Sequence, residues 1–254
     1  PISDNRKKIM VTGALGQLGS ELVPALAGRY GADRVLATDI RHPGSGSGTA
    51  SSAVFGTHEV EFRVIDCVHG QQLGTVASEA GAGTIFHLAA LLSAAAENRP
   101  QLAWQVNAQG TFNVIEVARE LGAALFVPSS IAAFGPSTPR KGTPQETLQR
   151  PGTIYGVTKV AGELLCDYYH GRFGVDTRGV RYPGLISHVA EPGGGTTDYA
   201  VEIFSDALRY GTYESFLEPD TCLDMMYMPD AIRAAIDLME ADPAALEHRN
   251  AFNV

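Results

Sequence analysis

Tyr155 and Lys159, in the run Tyr155-Gly156-Val157-Thr158-Lys159, and Ser130, closing Pro128-Ser129-Ser130, are the residues whose types and spacing could do chemistry. On a helix over 155–173, positions four apart project from one face about one turn apart, so a phenol and an ammonium group share one small space. A phenol titrates near about 10 in water and is a poor base at neutrality, but a nearby cation favours the phenolate. The pair is therefore a candidate general base. The competing reading is a solvated surface pair, since a lone YxxxK recurs by chance, and the context must separate the two.

The elements that must position these groups come next. Ala124-Leu125-Phe126-Val127-Pro128 reads as a buried strand, which places Ser130 at a carboxyl edge, where open α/β sheets bind ligands. At the start of the chain, Lys8–Thr12 is an apolar run that stops at Gly13, and Gly13-Ala14-Leu15-Gly16-Gln17-Leu18-Gly19 opens a helical pattern. The three glycines of that GxxGxxG serve different ends: Gly13 permits the tight bend, Gly16 the approach of a pyrophosphate, and Gly19 close packing of helix on strand. A strand before and a helix after are what a dinucleotide site requires. Asp39 ends the next run, twenty residues after Gly19, where a carboxylate meets the adenosine ribose hydroxyls and repels a 2′-phosphate. NAD is favoured over NADP, with Arg41 arguing the other way and a turn cap as the plainer role for Asp39.

Further along, residues 42–58 read as a Gly/Ser-rich loop without periodicity, and Val60–Val64 as a strand followed by Asp66 and Cys67 at the adenine edge. Thr84–Leu88 is a fourth buried run, leading into small residues, Ala89 and Ala90, against which a nucleotide can lie. His87 inside it reads as a satisfied core histidine, while Ser93 beyond the strand is the better candidate to touch substrate. One long helix is expected over 100–121, carrying Asn107, a residue unfavourable in mid-helix unless its side chain bonds something. Asp176–Val180 and Met225–Met228 read as strands, Pro229–Glu240 as a helix. Thr196-Thr197-Asp198 reads as a capped helix N-terminus before Tyr199–Leu208, able to attract a carboxylate. Strand and helix alternate over 7–182, the pattern of a doubly wound parallel sheet in the α/β class.

Composition sets the outer limits. With 254 residues and 44% hydrophobic content, one sizeable core is available. A formal charge of −9, with no long Lys/Arg cluster to reverse it locally, argues against a nucleic-acid or anionic-membrane surface and favours small-molecule chemistry. Three distant cysteines without metal-ligand spacing, a polar start and no long apolar run lead to an expectation of a cytoplasmic protein with no metal and no membrane partner.

Nearly the whole chain resembles the extended short-chain dehydrogenase/reductase superfamily of the UDP-galactose 4-epimerase type. The carriers are the Gly13–Gly19 triplet, HLAA at His87–Ala90, PSSIAAFG at Pro128–Gly135, YGVTK at Tyr155–Lys159 and RYPGLIS at Arg181–Ser187. HLAALLSAAAE at His87–Glu97 and PGGGTTDYAVEIF at Pro192–Phe204, with RYPGLIS and MMYM, are similar to its short-chain L-threonine 3-dehydrogenases. The resemblance implies a Rossmann domain over 1–182 with a smaller, interleaved substrate lobe over 183–254, and NAD-dependent oxidation of L-threonine to 2-amino-3-oxobutyrate. It implies Tyr155 as base, Lys159 on the nicotinamide ribose and Ser130 on the reacting oxygen; Ser129 is the alternative serine, and the PSSIAAFG pattern favours Ser130. Cofactor contacts are expected from Gly13, Gly16, Gln17, Leu18, Asp39, Asp66, Cys67, Leu88, Ala89, Ala90, Asn107, Tyr155, Lys159, Tyr182, Pro183 and Leu185. Substrate contacts are expected from Ser93, Ser130, Tyr155, Thr196 and Thr197, and a homodimer through helices 100–121 and 155–173. Rival readings are a nucleotide-sugar epimerase or dehydratase with the same triad, and a non-catalytic NAD-sensing protein. Members of the family resembled run longer, so the stop at Asn253-Val254 reads as a missing C-terminus or a shortened form.

Overall fold

Apolar runs alternate with amphipathic helices, and each helix carries the chain back across a face so that successive strands lie parallel. The computed structural model describes residues 2, 7–43, 52–187, 189, 195 and 197–254. Its strands are β1 Lys8–Thr12, β2 Val35–Asp39, β3 Ser52–Phe55, β4 His58–Val64, β5 Ala82–His87, β6 Ala124–Phe126, β7 Ser129–Ser130, β8 Thr177–Arg178, β9 Val180–Tyr182, β10 Gly184–Ile186, β11 Met225–Tyr227 and β12 Phe252–Asn253. The helices are α1 Gln17–Tyr30, α2 Gly70–Ala80, α3 Ser93–Asn98, α4 Pro100–Ala103, α5 Gly110–Leu121, α6 Ile154–Phe173, α7 Tyr199–Tyr210 and α8 Met228–Glu240. The main sheet runs β3-β4-β2-β1-β5-β6-β8, parallel throughout except for the antiparallel β3–β4 edge.

Two apolar layers clothe this sheet. On one face Leu22, Val23 and Leu26 of α1 pack with Ala231, Ile232, Ala235 and Ile236 of α8 over β1, β2 and β4. On the other, Leu73 and Ala77 of α2, Val114 and Ala118 of α5 and Cys166 and Tyr169 of α6 cover Met10, Leu36, Ile85 and Leu125. The doubly wound α/β fold is as expected. α8, from the segment read as the substrate lobe, packs on the main sheet and is held there by Arg178, fully buried, whose Nη1 donates to the Leu238 and Ala241 carbonyls at 2.6 and 2.8 Å. Among the described residues no helix is long and apolar enough to cross a membrane.

Three expectations need correction. The loop over 42–58 contains β3, which turns through Gly56-Thr57 into β4; its Gly44–Gly48 part lies outside the described residues. The turn residue Gly56, with φ +60°, is a hairpin signal that the glycine-rich stretch before it masks. The helix over 100–121 is α4 and α5 joined by a π-helical turn at Trp104–Gln109, with Asn107 in it. The run 176–180 is two strands, because Gly179 brings the chain so near β6 that a Cβ there would stand 2.2 Å from the Val127 oxygen. That kink passes the chain into a second sheet, β12-β9-β7, where Ser130 pairs with Tyr182 and Arg181 with Asn253.

Candidate active site

α6 starts where Thr153 Oγ1 accepts from Gly156 N at 3.0 Å, an ordinary N-cap. A Cβ on Gly156 would stand 2.2 Å from the Ala132 oxygen, so this glycine lets the first turn lie against the Ser130 segment. The Ser130 hydroxyl thereby hydrogen-bonds the Tyr155 phenol. Lys159, one turn on, has its Nζ 5.4 Å from the Tyr155 ring centroid and donates to the Pro128 carbonyl at 2.7 Å. Ser129 is separated from this group: it is buried and its Oγ donates to Glu163 Oε1.

Burial pushes the Tyr155 phenol up to about 12, with the Ser130 hydrogen bond pulling the other way. Burial also draws Lys159 down to about 8, opposed by the Glu163 carboxylate. The expected lowering of Tyr155 by Lys159 is thus corrected for the chain alone: desolvation raises the phenol, only Ser130 opposes it, and the ammonium donates to a carbonyl.

The glycine cradle is built as the spacing predicts. Gly13 has φ +70°, and a Cβ there would meet Ala89 N at 2.6 Å, so Ala89 lies directly over the turn. Gly19 is equally tight, its Cβ position 2.5 Å from the Gly13 oxygen. No side chain caps α1, and no acidic residue occupies its first turn, leaving the positive helix end open to an anion. Gln17 beside it has a buried Nε2 without a partner among the described residues. Asp39 ends β2, accepting from Leu15 N at 3.0 Å and from Arg41 Nε at 3.1 Å. An open helix end, an orphaned amide donor and a buried carboxylate at the strand edge fit the pyrophosphate and ribose of NAD. Gly13→Ala strains the left-handed turn by about 1–2 kcal/mol and forces Ala89 aside. The expected result is at least a tenfold loss of NAD affinity, read by titrating NADH fluorescence, with tight binding in the variant as the contrary result.

Other candidates fall into place unevenly. Leu88, Ala89, Ala90, Asn107 and Lys159 line one cavity. Asn107 spends its side chain internally, accepting from Leu91 N at 2.7 Å and donating to Leu91 O at 3.0 Å and Thr158 Oγ1 at 3.2 Å. Asp66 folds its carboxylate onto Val68 N, while Cys67 packs against Gly110, its thiol pushed up to about 12 by burial. Tyr182 turns its hydroxyl into the core, donating to Ala231 O at 2.7 Å, and Leu185 packs partly buried at the same core's edge. Leu18 does likewise on α1, and Pro183 joins β9 to β10. Ser93 opens α3, Thr197 lies against Gly184, and Thr196 lies outside the described residues. Asp198 does not cap α7; its carboxylate accepts from Gly195 N at 2.7 Å instead. His87 is only half satisfied: Nδ1 pairs with Thr12 Oγ1 at 2.7 Å, and Nε2 has no partner among the described residues.

Sequence reasoning missed the buried network behind the site. Glu163, 5% exposed, takes both Arg181 Nε and Nη2 at 3.0 and 2.8 Å, Gln149 Nε2 at 2.7 Å and the Ser129 hydroxyl. Its position four residues after Lys159 on the same helix face was the available signal.

A doubly wound sheet with a glycine cradle after β1 and a Tyr-Lys-Ser group at the carboxyl edge defines an extended short-chain dehydrogenase/reductase. The chain belongs to the NAD dependent epimerase/dehydratase family, whose profile matches residues 9–254, and its cofactor is NAD. An uncharacterised epimerase/dehydratase of Staphylococcus aureus is 55% identical over 248 residues, 98% of this chain and 75% of the relative. The structure of L-threonine dehydrogenase from Clostridium difficile superimposes with a TM-score of 0.90 at 52% identity, over 98% of this chain and 75% of that one. A monomeric L-threonine 3-dehydrogenase of metagenomic origin gives 0.89 at 44% identity, over 97% and 76%. These support an NAD-dependent oxidoreductase.

Proposed function

We propose that the protein oxidises the 3-hydroxyl of L-threonine to the ketone of 2-amino-3-oxobutyrate. The observation that carries the reading is the convergence of Tyr155, Ser130 and Lys159 at one point of a chain 52% identical to an L-threonine dehydrogenase. Bound NAD supplies the hydride acceptor and, when oxidised, a positive charge. Gly13, Gly16, Gln17 and Asp39 hold its diphosphate and adenosine ribose, and Lys159 its nicotinamide ribose. Leu18, Asp66, Cys67, Leu88–Ala90, Asn107, Tyr182, Pro183 and Leu185 complete the cofactor walls, several of them through backbone. Tyr155 takes the proton of the threonine hydroxyl while Ser130 hydrogen-bonds the same oxygen, so the C–H electron pair leaves Cβ as hydride and a C=O bond forms. Lys159 has to stay charged to help Tyr155 ionise against the desolvation that raises it. Ser93, Thr196 and Thr197 hold the amino acid's ammonium and carboxylate.

The 1–182 segment acts as the NAD-binding domain and 183–254 as the substrate lobe, with α8 returned to the sheet. Leu164 and Tyr168 of α6, 60% and 57% exposed, with Phe112 of α5, form an apolar face for a homodimer. Light-scattering mass would show twice the chain's mass, and a monomer would remove that assignment. The activity is tested by near-ultraviolet absorbance of NADH with L-threonine, D-threonine, L-allo-threonine and L-serine in parallel. A rise with L-threonine alone is expected; turnover of a uridine diphosphate sugar in its place would establish the epimerase reading.

A further inference from the structure

Nothing in the reaction above uses His87. It lies on β5, 2% exposed, with its Nδ1 on Thr12 and its Nε2 buried without a protein partner among the described residues. A buried nitrogen left so costs about 1–3 kcal/mol. Such a group is retained where a water or a charged neighbour completes it. The imidazole lines a small cavity of about 20 Å³, enough for a single water, together with Lys159, Pro128, Ser129, Thr158 and Glu163. Burial, with the Lys159 charge adding to it, draws His87 down to about 3 and so favours the neutral ring.

A neutral imidazole beside a fixed cation has a preferred tautomer. The field of Lys159 favours a lone pair, not an N–H, on the nitrogen that faces it. With the proton on Nδ1, that N–H donates to Thr12 Oγ1, and the Nε2 lone pair is left to accept in the cavity. A water there would accept from Lys159 Nζ and donate to Nε2, its dipole aligned with the field at both ends. Lys159 has three N–H bonds; one goes to Pro128 O, and the water gives a second a fixed direction.

We propose that His87 is a positioning residue for Lys159, acting through one buried water that bridges His87 Nε2 and Lys159 Nζ. This rests on the reading of Lys159 as the group that sustains the Tyr155 base. The bridge stabilises the charged amine, so its loss lowers the pH at which Lys159 gives up its proton. Groups facing the lysine are His87 from β5, Tyr155 and Glu163 from α6, and Arg181 from β9 through Glu163.

The test has two arms. In the native protein, nitrogen-15 shifts of the His87 ring should show a neutral Nδ1–H tautomer across neutral pH, with Nε2 shifted as a hydrogen-bond acceptor; an Nε2–H tautomer overturns the proposal. This arm involves no substrate, so it stands even if L-threonine is not turned over. In the second arm, with whichever substrate forms NADH, His87→Leu should move the bend of the kcat profile about one pH unit lower and drop its plateau about tenfold, since a lost hydrogen bond to a charged group is worth roughly one unit. KM values should stay within about twofold, and His87→Gln, which returns a polar atom near the Nε2 position, should restore both. An unmoved bend in a folded His87→Leu protein, or equal loss in His87→Gln, overturns the proposal.

Discussion

Tyr155→Phe should leave NAD binding within about twofold and cut turnover by about 10²–10⁴, the usual share of a positioned acid or base. The aromatic ring stays packed while the hydroxyl and its bond to Ser130 disappear, so a stopped-flow assay isolates the proton transfer. Near-native turnover in the variant would remove Tyr155 from the role of base. The pKa values give the shape of the native pH profile as well. With Tyr155 pushed up to about 12 and Lys159 drawn down to about 8, the active form has the phenolate and the ammonium together. Below pH 8 both groups are protonated, and log kcat/KM climbs with unit slope. Above it each gain in phenolate is matched by a loss of ammonium, and the profile flattens near pH 8.

Arg181→Met should be strongly destabilising, by about 3–5 kcal/mol, because it takes from the buried Glu163 the guanidinium that holds both its carboxylate oxygens and leaves only the Lys159 charge nearby. Arg181 is itself buried, and its Nη1 also donates to Gln145 O at 3.0 Å and to Asn253 Oδ1 at 3.1 Å. For a chain of this size the midpoint of thermal unfolding should fall by roughly 10 °C. The double variant Glu163→Leu/Arg181→Met should recover most of the loss, since an apolar pair replaces a desolvated ionic one. Calorimetry on the single and double variants decides it: no fall with Arg181→Met would mean that Glu163 is protonated or solvated.

The parts of this fold that could be read in the residues are those where local pattern and global packing agree. Gly13, Gly16 and Gly19 announce a turn that only glycine can make, and the structure places a carbonyl or backbone nitrogen where each outer Cβ would be. Tyr155 and Lys159 are joined by helix geometry alone. The PSSIAAFG pattern favours Ser130 over Ser129, and the physical reason lies in the strand: adjacent residues face opposite ways, so Ser129 turns to Glu163 and Ser130 to Tyr155. Helix spacing could have flagged Glu163, but its pairing with Arg181 could not be read: the two lie eighteen residues apart, and the contact depends on the path the chain takes through Gly179. Asn107 was flagged by its cost in a helix, but its partners, Leu91 and Thr158, come from two other elements. His87 read as plain core because an apolar strand conceals which of its ring nitrogens is served.

The small sheet β12-β9-β7 has a consequence for how long the site stays assembled. Ser130 belongs to a two-residue strand that pairs with Arg181 and Tyr182 of β9, and β9 in turn pairs through Val180 and Arg181 with the two residues of β12. So few ladder bonds open at a lower free energy than the main sheet, and amides of such a unit exchange with solvent together. The serine proposed to hold the reacting oxygen is therefore mounted on a ladder of two residue pairs. Local breathing at β7 would silence the enzyme reversibly while the nucleotide half remained fully folded.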